Sequence, residues 1–168
     1  GVTLTETRYG TTPVTIYEGP DAGPPVVIAH GFAGSRQMMQ GYALALAQAG
    51  YVVHAFDFEG HGQNPVPMSG DTDSITGTTQ NLVDQTRAVM DEAAKGETPI
   101  ALVGHSMATD ILVRVAEADP RTGPLVLISA FSQAITPENP ETMLLIPGAW
   151  EGHLADFALE AVQMVDPG

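Results

Sequence analysis

The stretch IALVGHSMATD, residues 100–110, decides how the chain is read. Four aliphatic residues run into Gly104, and helical spacing begins at Ser106 and continues to Ala118. A strand that becomes a helix this abruptly must bend sharply at Ser106. Small residues two places before and after it, Gly104 and Ala108, keep such a bend from colliding with its surroundings. The bend sets the serine hydroxyl at the carboxyl end of a strand, where ligands gather in parallel sheets. It also sets it at a helix N-terminus, whose free N–H groups and partial positive charge stabilise a developing oxyanion. The Met107 N–H is the natural first donor. The bland alternative is a serine that only caps a helix. The strand before it and the helix after it favour a nucleophile.

Outward from this point the chain alternates strand and helix. Residues 26–30, 51–58, 99–104, 125–130 and 143–148 are short apolar runs rich in Val, Ile and Leu. Helical spacing falls between them at 36–49, from Thr78 or Thr79 to Lys95, and at 106–118, with Gly50 and Gly96 as stops. A last helix is expected over 153–164. Unbroken apolar strands alternating with helices predict a parallel sheet buried on both faces. Segments 2–8 and 13–18 alternate apolar and polar residues around YGTT, which predicts a leading antiparallel hairpin. The connection at 131–142 contains two prolines and leaves no room for a lid domain.

A second turn points at the same place. VVIAHGFAGS, residues 26–35, ends a strand on His30 and Gly31. Glycine permits a sharp turn, and the Phe32 N–H that follows is the second candidate oxyanion donor. The His30 side chain is expected to brace the turn.

Composition bounds the rest. At 168 residues with 43% hydrophobic content the chain forms a single domain with a real core. Six basic and twenty acidic residues give a net charge of −14, which excludes nucleic acid as a partner. No apolar run is long enough to span a bilayer. Cysteine is absent, so disulfides and thiolate chemistry are excluded. The five histidines show no metal-ligand spacing. GDTDS at 70–74 lacks the later glutamate of a calcium loop, and GPDAGPP at 19–25 lacks the Gly-Lys-Ser/Thr of a phosphate loop. Neither a metal nor a cofactor is expected. Met38, Met39 and Met90 read as core filler, whereas the Met107 side chain is expected to border the cleft.

HGFAGS at 30–35, DFEGHG at 57–62 and GHSMA at 104–108 together resemble the α/β-hydrolase superfamily, in its esterase, lipase and serine peptidase branch. The motifs fall in that family's order, and the resemblance covers nearly the whole chain. It implies a hairpin followed by parallel strands, Ser106 as nucleophile, and the Phe32 and Met107 amides as oxyanion hole. It also implies hydrolysis of carboxylic esters, thioesters or amides through an acyl-enzyme. Glu59 stands where the family commonly has Arg, and Ala108 where it commonly has Gly, which should shift the helix slightly outward. His61 is implied to be structural. The acid of the triad is implied near Glu151, three residues past Gly148.

The family's histidine follows an eighth strand, which this sequence does not supply. The domain, residues 1–168, therefore reads as C-terminally incomplete and its activity as impaired. His153, the only histidine after Ser106, is expected at a helix start on the surface, His54 in the core, and His105 in a structural role. Without an eighth strand, the MLLIPG strand lies at the sheet edge, where an apolar strand invites pairing with another chain. This predicts a homo-oligomer. The small-molecule partner is an ester or acyl substrate; Phe32, Met107, Phe131 and Trp150 are the residues expected around its acyl group. The competing reading is a non-catalytic binding or assembly domain of the same fold.

Overall fold

The structure, a computed structural model, describes residues 1–70, 77–96, 99–129 and 143–146, of the last only the backbone. Among the described residues seven strands form one sheet. They are β1 (Thr3–Tyr9), β2 (Thr12–Glu18), β3 (Pro25–Ala29), β4 (Val52–Phe56), β5 (Ile100–His105), β6 (Thr122–Ile128) and β7 (Met143–Ile146). Their order across the sheet is β1-β2-β4-β3-β5-β6-β7. The β1–β2 hairpin is antiparallel and β2 pairs antiparallel with β4. From β4 onward every pairing is parallel. The mixed sheet, parallel but for its N-terminal hairpin, is the α/β architecture read from the sequence. The helix expected at 153–164 and the connection at 131–142 lie outside the described residues.

Three helices are described: α1 (Gln40–Gln48), α2 (Thr79–Ala94) and α3 (Met107–Ala118). Residues Arg36–Met39, expected as the first turn of α1, form a tighter 3-10 turn instead. The end of α1 shows why the glycine stop was legible. Gly50 adopts φ +109°. Its N–H donates to the Ala47 carbonyl, and the Tyr51 N–H donates to that of Leu46, 3.1 Å in each case. This paired cap needs a left-handed residue at its corner.

The period-two alternation of each strand divides the core into two layers. Val27, Ala29, Leu102, Leu125 and Leu127 point to one face, against α2 and α3. Val26, Ile28, Val103, Val126 and Ile128 point to the other, where Leu46 and Ala47 of α1 cover them. All are fully buried, so the strands read as continuous apolar runs. The chain runs from β3 outward to β4, then crosses back over β3 to β5. Strand order therefore reverses at the β3–β5 pair, where Ala29 is in register with Gly104. Ligands bind at such a reversal, outside the carboxyl ends of the strands. Both turns singled out in the sequence emerge there.

Candidate active site

Ser106 occupies the bend between β5 and α3 with φ +54° and ψ −114°, a conformation that side chains rarely adopt. Its surroundings hold it there. Its N–H donates to the Ile128 carbonyl at 2.9 Å, and its carbonyl accepts from both the Thr109 N–H, at 2.9 Å, and the Thr109 hydroxyl, at 2.6 Å. A β-carbon on Gly104 would meet Leu112 Cδ1 at 2.6 Å and the Ala108 Cβ at 3.2 Å. Glycine at 104 is thus what lets α3 fold back on β5, and Ala108, fully buried, fits only because 104 is glycine. Ser106 itself is only half-buried.

Gly31 lies against this bend. A β-carbon there would stand 3.1 Å from both Ser106 Cβ and His105 Nδ1. The next residues, Phe32 and Ala33, turn over the end of the sheet, and Ala33 takes φ +58°. Among the described residues, neither the Phe32 N–H nor the Met107 N–H donates a hydrogen bond. Phe32 follows Gly31, which lies against the bend, and Met107 follows Ser106, so both candidate oxyanion donors stand at the site without an acceptor among the described residues.

The Gly31–Arg36 turn is clamped at both ends to the segment after β4. At the near end His30 is fully buried. Its Nδ1–H donates to the Gly31 carbonyl at 2.7 Å and its Nε2 accepts from the Phe58 N–H at 3.1 Å. Burial holds this imidazole below its ordinary pKa, against the hydrogen bond to Gly31, so the neutral ring suits the donor–acceptor pairing. At the far end the Arg36 N–H donates to Asp57 Oδ1 at 2.7 Å, and the Arg36 guanidinium pairs with Asp57 Oδ2. The same guanidinium reaches Glu6 at 2.9 Å, Thr15 at 2.9 Å and Gln63 at 3.2 Å. The Gln63 N–H donates to Asp57 Oδ2 at 2.9 Å. Gly62, at φ +54°, closes over the carboxylate; a side chain there would overlap it.

Two further histidines, His61 and His54, are buried. His61 is buried, with Nδ1 at 3.0 Å from the Glu59 carbonyl and its ring edge-on to Phe32 at 5.6 Å. His54 is buried on β4, bonded to the Tyr9 hydroxyl at 2.8 Å, and burial lowers its pKa to about 4. Among the described residues no histidine is hydrogen-bonded to the Ser106 hydroxyl. Glu151 and His153 lie outside the described residues, as do Phe131 and Trp150.

A cleft of about 200 Å³ opens beside Ser106. The Gly31–Gly34 turn forms one side, and Met38, Met39 and Tyr42 form the other. Two methionine expectations are corrected here. Met38 is not core filler: it is 65% exposed and lines the cleft, because the 3-10 turn rotates it away from the core that Met39 enters. Met107 does not line the cleft; the bend directs its side chain against the core layer beneath α2 and α3.

A strained serine at the end of the central parallel strand, beneath a glycine turn from the neighbouring strand, defines an α/β hydrolase. Within that class the chain belongs to the hydrolase family described as serine aminopeptidase, S33, whose model matches residues 21–156. It is 30% identical over 117 residues to a Variovorax paradoxus (strain S110) protein named as a carbamate hydrolase, RutD, matching 68% of this chain and 41% of that one. Among solved structures it is similar to TT1662 from Thermus thermophilus, with a TM-score of 0.66 at 18% identity over 83% of this chain and 64% of that one. A thioesterase domain from the curacin biosynthetic pathway matches with a TM-score of 0.61 at 26% identity, over 77% of this chain and 45% of that one. Epoxide hydrolase A from Mycobacterium thermoresistibile matches at 0.59 and 22% identity, over 76% and 39%. The chain thus spans less than half of the curated relative and under two thirds of each of these structures.

Proposed function

We propose that the chain hydrolyses carboxylic esters, with thioesters or amides as the alternative substrates, through an acyl-enzyme on Ser106. The observation that carries this is the serine's backbone: a φ of +54° on a residue with a side chain, pinned by hydrogen bonds to β6 and to Thr109. Strain of this kind persists where the surrounding structure enforces it, and it clusters at active sites. The Ser106 oxygen attacks the acyl carbon and gives up its proton to a base, while the carbonyl oxygen becomes an anion facing the Phe32 and Met107 N–H groups. Collapse of that intermediate expels the alcohol with a proton, and water then releases the acid. Glu151 is the acid proposed on sequence grounds. With no histidine bonded to Ser106 among the described residues, turnover is expected to be low. A similarity to a protein named as a carbamate hydrolase and to a thioesterase domain agrees with acyl chemistry.

A fluorophosphonate probe tests the assignment and separates it from a non-catalytic binding domain. The probe should label the protein covalently and leave Ser106→Ala untouched; absence of labelling in both would favour the binding domain. We propose also that the chain self-associates along β7, the last strand of the described sheet. Sedimentation velocity should show dimer or larger species at micromolar concentration, and a lone monomer peak would count against it.

A further inference from the structure

We infer that the cleft beside Ser106 is an acyl pocket for a neutral, unbranched alkyl chain of medium length, with Met38 as its adjustable wall. This rests on the Ser106 reading and adds the substrate class. Among the described residues three large apolar side chains are exposed, and two of them, Phe32 at 71% and Met38 at 65%, line this one cleft. Apolar surface clustered at a cleft mouth marks a binding groove, whereas scattered apolar residues would not. The cleft is continuous with Ser106, so what fills it is attached to the carbonyl under attack or to its leaving group.

The wall chemistry selects the occupant. Met39 is buried behind the cleft and Tyr42 packs into the same core layer, so this part of the wall is fixed. Met38 is different. Its thioether lies over Gly34, where a β-carbon would approach Sδ to 3.0 Å. An unbranched side chain resting on a glycine can swing, and methionine fills gaps of variable shape. No lysine or arginine lines the cleft among the described residues, and the net charge of −14 repels anions. Acyl groups ending in carboxylate or phosphate are therefore disfavoured against plain alkyl chains. At ~30 Å³ for one water-sized group, the cleft of about 200 Å³ holds on the order of six such groups.

The test is the chain-length profile of kcat/KM for p-nitrophenyl esters from acetate to decanoate, with wild type, Met38→Trp and Met38→Ala. In wild type kcat/KM should rise about fourfold per methylene, the ratio for burying one CH2, and level off near hexanoate. Met38→Trp should bring the hexanoate-to-acetate ratio to about one, and Met38→Ala should move the optimum to longer chains. A misfolded variant could not produce these opposite shifts. A flat wild-type profile, or identical profiles in all three, would overturn the pocket while leaving Ser106 standing, provided hydrolysis is lost in Ser106→Ala. If no ester is turned over through Ser106, calorimetric titration with hexanamide decides the pocket alone. Binding that Met38→Trp abolishes supports it, and no binding to wild type overturns it.

Discussion

Replacing Ser106 by glycine is expected to remove turnover and at the same time to raise the melting temperature. The two effects have one origin. A residue with a β-carbon held near φ +54° and ψ −114° stores about 1–3 kcal/mol of backbone strain, and glycine enters that region without it. Glycine also gives the unfolded chain more freedom, which costs about 0.4–1 kcal/mol. The net expectation is a gain of about 1 kcal/mol, or about 2–4 °C for a chain of this size. Ser106→Ala keeps the β-carbon and so keeps the strain, which makes it the reference. Both variants should lose the turnover that passes through Ser106; because serine and base act as a unit, a loss of ~10⁴-fold or more is expected only where a histidine serves the serine. Thermal melts of the three proteins beside ester hydrolysis check this. A glycine variant no more stable than the alanine variant would show that the bend is not strained. Turnover that survives in both would show that the hydroxyl at 106 is not the nucleophile.

The serine could be found from sequence because its signal is local. Strand, glycine, serine, alanine and helix follow one another within a dozen residues, and each is a separate cue. The same holds for His30-Gly31-Phe32, and for Gly50, whose role as a helix stop needs only its neighbours. Strand ends were less legible. β6 begins at Thr122, not at residue 125, because Arg121 accepts the Ile100 N–H and starts the β5 pairing early. Helical periodicity misplaces Met38 because it treats residues 36–49 as one helix, whereas the 3-10 turn changes the angular step per residue. What the sequence hid was the support of the site. Arg36 and Asp57 are 21 residues apart, and Glu6 is a further 30 from Arg36. In a chain with twenty acidic residues, nothing local distinguishes a buried aspartate from a solvated one. Within DFEGHG the departure from the family pattern falls at Glu59. The weight rests on Asp57, whose partner is Arg36 from the β3–α1 turn.

That hidden support carries the second large prediction: Asp57→Ala should lower unfolding stability by about 3–5 kcal/mol. Asp57 is fully buried and Arg36 is 5% exposed. Truncating the carboxylate strands the guanidinium and leaves the Arg36 and Gln63 N–H groups without their acceptor. Glu6, at 2.9 Å, cannot replace it, because that carboxylate is 61% exposed and its attraction is screened by water. Burial works against the charge on Arg36, and the hydrogen bond with Glu6 and the charges of Asp57 and Glu6 outweigh it, so its pKa lies above the ordinary value. The loss should register in function as well as in urea unfolding. The Arg36 N–H is the far anchor of the turn that presents the Phe32 N–H, and that end would then be held only through the guanidinium's contacts with Thr15, Glu6 and Gln63. A misplaced oxyanion donor lowers kcat by about 10²–10³, and KM should rise as well, because Met38 and Met39 of the cleft wall sit on the 3-10 turn that begins at Arg36. Arg36→Ala combined with Asp57→Ala should cost less than the two changes summed, by about 0.5–3 kcal/mol, since each removes the group the other leaves unpaired. Strict additivity, or an Asp57→Ala protein as stable as wild type, would mean that the pair neither anchors the turn nor holds the β4 end against it.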